Sequence, residues 1–155
     1  MPRRMSCSMT IGAVRDRTKD VTRRHEDTWT TLKAGDRLTL IEKGMGLPRG
    51  TKQVVLAEVE IVSVTVEYLL GRLDGDEMAR EGFPHLDPLE FAAFWAKNHG
   101  YQRLLRSSGV GWLSPSPWIT PTAHRADAIQ HSLRNVRCRR IEWRYLDDEV
   151  DEVDR

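Results

Sequence analysis

Three side chains that could take part in one reaction lie within six residues of the sequence: Lys19, Thr22 and Arg24. If this short segment is extended, Thr22 and Arg24 project from one face, while Val21 and Arg23 project from the other. The segment then presents an ammonium, a hydroxyl and a guanidinium on one wall. Amide hydrolysis needs such groups, because a nucleophile must attack and a cation must stabilise the oxyanion that forms.

Each of these residues also has an ordinary interpretation. Lys19 and Arg24 would form a pair of solvated bases on a basic surface, and from the residues alone this alternative is favoured. Thr22 would be a common strand residue.

Length and composition predict one globular domain with a core of its own, since the chain has 155 residues of which 39% are apolar and 30% charged. No apolar run approaches the length of a membrane span, and no secretory h-region follows the basic N-terminus. We therefore expect a cytoplasmic protein without a membrane segment, and a monomer is favoured.

Neither a metal site nor another cofactor is expected. Cys7 and Cys138 are too few for a disulfide framework and have no zinc-ligand spacing, and the five histidines show no ligand spacing either.

Charge is distributed unevenly along the chain. Residues 147–155 carry six acids and one base, so the remaining 146 residues hold a net charge of +6. A positive body suits an anionic partner such as RNA. The acidic segment 147–155 is expected to be a disordered, solvated tail, with competition for the basic surface as the alternative.

The first half of the chain has a strand-rich pattern. A short helix is predicted at residues 10–17, capped by Ser8 or Thr10, and the Lys19 segment then leads from this helix into a strand. Strands are predicted at 37–42 and 53–66, and a change of apolar phase within the second indicates a bulge. Lys43, Arg49 and Lys52 surround a glycine-rich loop that is a candidate for contacts to nucleic-acid backbone.

The second half alternates helices with irregular chain. Asp74 predicts the N-cap of a helix ending near Gly82. Residues 87–90 have the pattern of a capping box, with Phe91 and Trp95 on the buried face of the following helix. From residue 102 to 135 the Gly, Ser and Pro content predicts irregular chain, interrupted by a helix at 122–133. A closing strand is predicted at 136–146.

Lys19-x-x-Thr22-x-Arg24, together with residues 32–50 and Glu81-Gly-Phe-Pro, resembles the ASCH domain, a small family related to the PUA RNA-binding domain. The order of the predicted elements agrees with it. The forms Glu42-Lys-Gly-Met-Gly and Glu81-Gly-Phe-Pro are similar to those of phages and actinobacteria. The resemblance departs at about 102–135, which we interpret as an insertion within a single domain of residues 1–146.

The resemblance implies an α+β fold, namely a PUA-like, mixed, mostly antiparallel β-barrel with helices packed at its side and mouth. It also implies binding of RNA or a modified nucleobase in a cleft on the barrel. The expected nucleic-acid or ligand contacts are Arg23, Arg24, Lys43, Gly44, Met45, Arg49 and Lys52.

Some members of the family hydrolyse acylated pyrimidine nucleosides such as N4-acetylcytidine without a metal. Their lysine, threonine and glutamate correspond to Lys19, Thr22 and Glu81, so a metal-independent amidohydrolase is the first alternative. A non-catalytic adaptor acting through the insertion or the tail is the second. For either a binding or a catalytic cleft, we expect the Glu81 carboxylate to lie near the Lys19 ammonium and the Thr22 hydroxyl.

Overall fold

Five strands and five helices form the regular structure of residues 2–107 and 123–147, the part of the chain that the computed structural model describes. In chain order they are β1 (Arg3–Ser6), α1 (Ile11–Arg15), β2 (Val21–His25), β3 (Arg37–Ile41), β4 (Val55–Tyr68), α2 (Gly75–Glu81), α3 (Pro88–Asn98), α4 (Gln102–Ser107), α5 (Ala123–Leu133) and β5 (Arg137–Tyr145). The mixed α+β class agrees with the prediction.

The strands form one curled sheet in the order β1-β3-β4-β5-β2. Only β1 and β3 are parallel, and the other neighbours are antiparallel. The predicted barrel is present in part, as a half-barrel, because β1 and β2 remain as two edges that do not pair with each other.

Strand β4 joins the two halves of the sheet, pairing with β3 near its start and with β5 along the rest of its length. The predicted bulge is present, since the register with β5 shifts between Ile61 and Ser63. The extra residue explains the change of apolar phase in the sequence, because a bulge reverses which side chains face inward.

Helix α2 begins and ends as its sequence predicts. The Asp74 side chain accepts a hydrogen bond from the Glu77 amide at 2.8 Å, and Gly82 ends the helix with φ 93°. A Cβ at Gly82 would lie 2.8 Å from Cγ2 of Thr10, so a larger residue would disturb both the backbone and the contact with α1. Glycine therefore sets how closely the end of α2, which carries Glu81, approaches α1.

The capping box of α3 is also present: the Asp87 side chain accepts from Leu89 N, and the Glu90 side chain accepts from Asp87 N. The cap of α1 differs from the prediction. Its N-cap is Thr10, but no side-chain hydrogen bond caps the helix, which has only five residues.

Two elements were not predicted. Strand β1 was missed, and α4 occupies 102–107, where the composition had predicted irregular chain. The glycine- and proline-rich remainder of the insertion, 108–122, and tail residues 148–155 lie outside the described residues. Asp147, the first tail residue, forms an ion pair with Arg17.

Apolar side chains form two clusters. One lies among helices α2 to α5 and includes Met78, Phe91 and Trp95. The other includes Leu38, Val59 and Trp143 on the strands, together with Val14 of α1. Both cysteines are buried free thiols. None of the helices in the described ranges is long and apolar enough to cross a membrane.

Candidate functional site

Lys19 lies in the link between α1 and β2 and is almost completely buried, with 2% of its surface exposed. Its Nζ donates to the Val21 carbonyl oxygen at 2.7 Å and to the Glu81 carbonyl oxygen. It also lies 5.7 Å from the centroid of the Trp143 ring. An ammonium has three N–H donors, so one remains without an acceptor among residues 2–107 and 123–147.

Burial lowers the pKa of Lys19, because the charged form loses its hydration, although the Glu81 carboxylate opposes this effect. No carboxylate of the described residues forms an ion pair with the Lys19 ammonium. Lys19 is thus a desolvated lysine held by two carbonyl groups.

Glu81 is the last residue of α2, and its side chain is directed at strand β2. One carboxylate oxygen accepts from the Arg23 main-chain N–H at 2.8 Å, and the other accepts from Arg23 Nη1 at 3.0 Å. Lys19 and Glu81 are thus in direct contact. The hydrogen bond between them, however, runs from the ammonium to the main-chain carbonyl, not to the carboxylate.

Side chains cover the free edge of β2. In an antiparallel edge strand, alternate residues direct their N–H and C=O groups away from the sheet. The Arg23 N–H is bound by Glu81, its C=O accepts from Trp95 Nε1 at 3.0 Å, and the Val21 C=O accepts from Lys19. These contacts explain why no further strand of the described residues pairs with β2.

Thr22 and Arg24 share the opposite side of β2 from Arg23, as the alternation predicts. Thr22 is buried opposite Ile141, and its hydroxyl has no hydrogen-bond partner in the described part of the chain. Arg24 is half-buried, and its Nη2 donates to the Ser6 carbonyl oxygen at 2.7 Å, which links edge strand β2 to edge strand β1.

Cys7, just beyond β1, is buried within range of the charges of Lys19, Arg24 and Glu81, and no motif in the sequence pointed to it. Burial raises the pKa of its thiol, while the charges of Lys19 and Arg24 lower it and that of Glu81 raises it. We call the five residues Cys7, Lys19, Thr22, Arg24 and Glu81 the edge site.

Arg23 was predicted to contact ligand, but its side chain is completely buried on the other side of β2. Its guanidinium pairs with Glu77 at 2.6 Å and with Glu67 at 3.2 Å, as well as with Glu81. Burial opposes its charge, yet Glu81 and Glu77 raise the pKa of Arg23 overall. Arg23 therefore lies on the side of β2 opposite Thr22 and Arg24, and it contacts the edge site through Glu81.

The ion pairs continue across the sheet. Arg140 holds Glu77 through two hydrogen bonds and also pairs with Glu142 at 2.8 Å. Arg80 connects Glu142, at 2.7 Å, with Asp20, at 2.8 Å. Spacing on α2 explains the arrangement, because positions 77, 80 and 81 fall on one helix face.

The glycine-rich loop between β3 and β4 lies next to the end of β1. A Cβ at Gly44 would lie 3.7 Å from the Cβ of Ser6, whose carbonyl binds Arg24. The remaining predicted loop contacts are all exposed: Lys43, Met45, Arg49 and Lys52.

Among the described residues, no group of three or more His, Cys, Asp or Glu side chains is arranged to hold a metal ion. The edge site instead offers donors and acceptors of hydrogen bonds. It is therefore suited to a polar organic ligand.

No family model and no curated protein matches the sequence. Among solved structures, the chain is similar to protein EF3133 from Enterococcus faecalis V583, of the family DUF984. The TM-score is 0.50 at 11% identity, and the match covers 94% of this chain and 80% of that protein. At this identity the similarity concerns the fold alone, and the chain shares the overall fold of that protein.

Proposed function

We propose that this protein is an ASCH-type, PUA-like domain that binds RNA through a nucleobase, unmodified or modified, received at the edge site. The observation that carries the proposal is Lys19. A buried ammonium with one unused donor lacks an acceptor that water would otherwise supply, and the carbonyl oxygen of a nucleobase is such an acceptor.

Charge balance favours a neutral group at this position. Apart from the exposed Arg72, which lies 3.9 Å from Glu67, the edge site and its ion-pair network contain five basic and five acidic residues: Lys19, Arg23, Arg24, Arg80 and Arg140 against Asp20, Glu67, Glu77, Glu81 and Glu142. No excess positive charge demands a buried phosphate. We therefore assign the base to the interior and the phosphates to the exposed loop around Lys43, Arg49 and Lys52.

The remaining groups of the edge site complement the Lys19 donor. Each Glu81 oxygen accepts one described hydrogen bond and retains capacity for another, so the carboxylate can accept from a ring or exocyclic N–H. The Thr22 hydroxyl can donate or accept. A heterocycle with adjacent carbonyl and N–H groups, as in a pyrimidine, carries hydrogen-bonding groups of the kinds that complement this set.

The binding experiment compares cytidine, N4-acetylcytidine and a short single-stranded RNA by calorimetry. Lys19→Met should weaken binding of any ligand that uses the buried donor by about tenfold or more, since its removal leaves a ligand acceptor unpaired. Lys33→Met, at an exposed lysine, is the matched control. Unchanged affinity in Lys19→Met would refute the proposed site.

A second candidate function, hydrolysis of an acylated pyrimidine nucleoside, is favoured by two features of the segment 19–22: the Lys19 ammonium with an unused donor, and the buried Thr22 hydroxyl without a partner in the described part of the chain. In this reaction either a water attacks the acyl carbonyl carbon directly, or Thr22 attacks it and a water then hydrolyses the acyl-threonine ester to release the acid. Glu81 shuttles the proton to the departing amine, and Lys19 or Arg24 stabilises the oxyanion. Incubation with N4-acetylcytidine, followed by mass spectrometry for cytidine and acetate, distinguishes turnover from binding.

A further inference from the structure

Arg23 holds Glu81 through two independent donors. Its main-chain N–H binds one carboxylate oxygen and its guanidinium binds the other, at 2.8 and 3.0 Å. Two hydrogen bonds to different oxygens fix both the position and the plane of a carboxylate. Glu81 is 3% exposed, so water has little access to replace either donor.

We infer that Arg23 is a positioning residue for the edge site, and that Glu77 and Arg140 hold Arg23 in the orientation that directs the Glu81 carboxylate. The inference rests on the proposed function, because the carboxylate is positioned for a ligand at that site. It assigns to Arg23 a role through Glu81, without direct contact to the ligand.

A continuous chain of hydrogen bonds holds the Arg23 guanidinium in place. Glu77 accepts from Arg23 at 2.6 Å, and from Arg140 at 2.8 and 3.1 Å. Because the Glu77 carboxylate is held by Arg140 as well as by Arg23, the Arg23 guanidinium has little freedom to rotate. The low pKa of Glu77, about 2, agrees with this arrangement.

The ion-pair network also returns to the segment that carries Lys19. From Arg140 it passes through Glu142 to Arg80, which holds Asp20 by two hydrogen bonds at 2.8 and 3.1 Å. Asp20 directly follows Lys19. The network therefore secures both the carboxylate and the chain segment bearing the ammonium.

The shape of the guanidinium is essential to this role. Arginine presents several donors in a planar fork, whereas lysine concentrates its charge at one atom and cannot span Glu67, Glu77 and Glu81 in the same way. Arg23→Lys thus retains the charge but loses the geometry. Arg72→Gln is the matched control, because Arg72 touches Glu67 from the exposed side at 3.9 Å.

The first test needs no ligand. Amide hydrogen exchange at residue 23 reports the hydrogen bond to Glu81, while exchange at Thr22, which faces β5, reports opening of the strand. Relative to Thr22, exchange at residue 23 should quicken by about tenfold in Arg23→Lys and Glu77→Gln and stay unchanged in Arg72→Gln. Circular dichroism confirms that each variant is folded. Wild-type protection at residue 23 in folded Arg23→Lys would overturn the inference.

The second test measures the affinity for N4-acetylcytidine in a double-mutant cycle. Arg23→Lys should weaken binding about tenfold in the wild-type background but have no further effect when Glu81→Gln is already present. If the losses of affinity in the two single variants multiply in the double variant, a role of Arg23 through Glu81 is contradicted. If the wild-type protein binds neither nucleoside nor RNA, the proposed function fails, and exchange at residue 23 decides the positioning role alone.

Discussion

Lys19 binds Glu81 through the main-chain carbonyl oxygen of Glu81, while the carboxylate of the same residue is turned toward Arg23. The two contacts separate the roles of one residue. The carbonyl secures the lysine, and the carboxylate remains an acceptor. A side-chain substitution at position 81 can thus change the chemistry of the site while leaving the lysine contact in place.

Glu81→Gln should preserve the fold and abolish any turnover of N4-acetylcytidine, because an amide cannot shuttle a proton. We expect a loss of about 1–3 kcal/mol in the free energy of unfolding, since the hydrogen bonds from Arg23 become weaker or unmatched. Mass spectrometry and urea unfolding provide the two measurements. Asp76→Asn, at an exposed position of α2, is the control, and turnover retained in Glu81→Gln would remove Glu81 from the mechanism.

Lys19 should make the protein more stable as pH rises through the alkaline range. Its folded-state pKa lies below that of the unfolded chain, so between these two values the unfolded state binds more protons and the free energy of unfolding increases with pH. In Lys19→Met, the increase of the free energy of unfolding with pH should lack the part that Lys19 contributes. Urea unfolding of both proteins at pH 7, 8 and 9 tests the difference, and identical slopes would contradict a buried, desolvated lysine.

Glu77 should make the free energy of unfolding fall as pH decreases through the acidic range. Its folded-state pKa of about 2 lies below the ordinary value of 4.5, so its contribution is complete above the ordinary value and is lost as pH falls toward 2. The loss attributable to this group is about 3 kcal/mol. In Glu77→Gln this component should be absent from unfolding curves recorded between pH 5 and 2. The hypothesis fails if the variant and the wild type lose stability in parallel.

The exposed loop should govern the salt dependence of RNA binding. Replacing Lys43, Arg49 and Lys52 with alanine removes up to three phosphate contacts, so the slope of log affinity against log salt should become shallower by about 2. Titrations of a short RNA at several salt concentrations measure it. A slope that stays unchanged, or wild-type binding without salt dependence, would exclude this loop as the phosphate contact.

Local signals in the sequence determined several helix boundaries and the bulge. Asp74, Gly82 and the 87–90 capping box act through hydrogen bonds within a few residues, so their patterns can be read without the fold. The phase change in β4 is equally local. Strand β1 had no such signal, because it is four residues long and its pairing with β3 joins distant parts of the chain.

Alternation along β2 was sufficient to place Thr22 and Arg24 on one side and Arg23 on the other, since a strand has a period of two. What lies on each side was decided by the tertiary structure. Only the docking of α2 against the sheet encloses Arg23 with Glu67, Glu77 and Glu81, and turns a predicted ligand contact into a buried ion-pair partner.

The sequence by itself identified Lys19, Thr22 and Arg24 as a group, and the family resemblance added Glu81. It did not determine that the Glu81 carboxylate faces the Arg23 amide, that Trp95 covers the neighbouring carbonyl, or that the charge of Lys19 acts on the Cys7 thiol. The two hydrogen bonds among these contacts join residues that are 58 and 72 positions apart in the sequence. Such pairings depend on how the free edge of β2 is covered by α2 and α3, and that packing exists only once the half-barrel has formed.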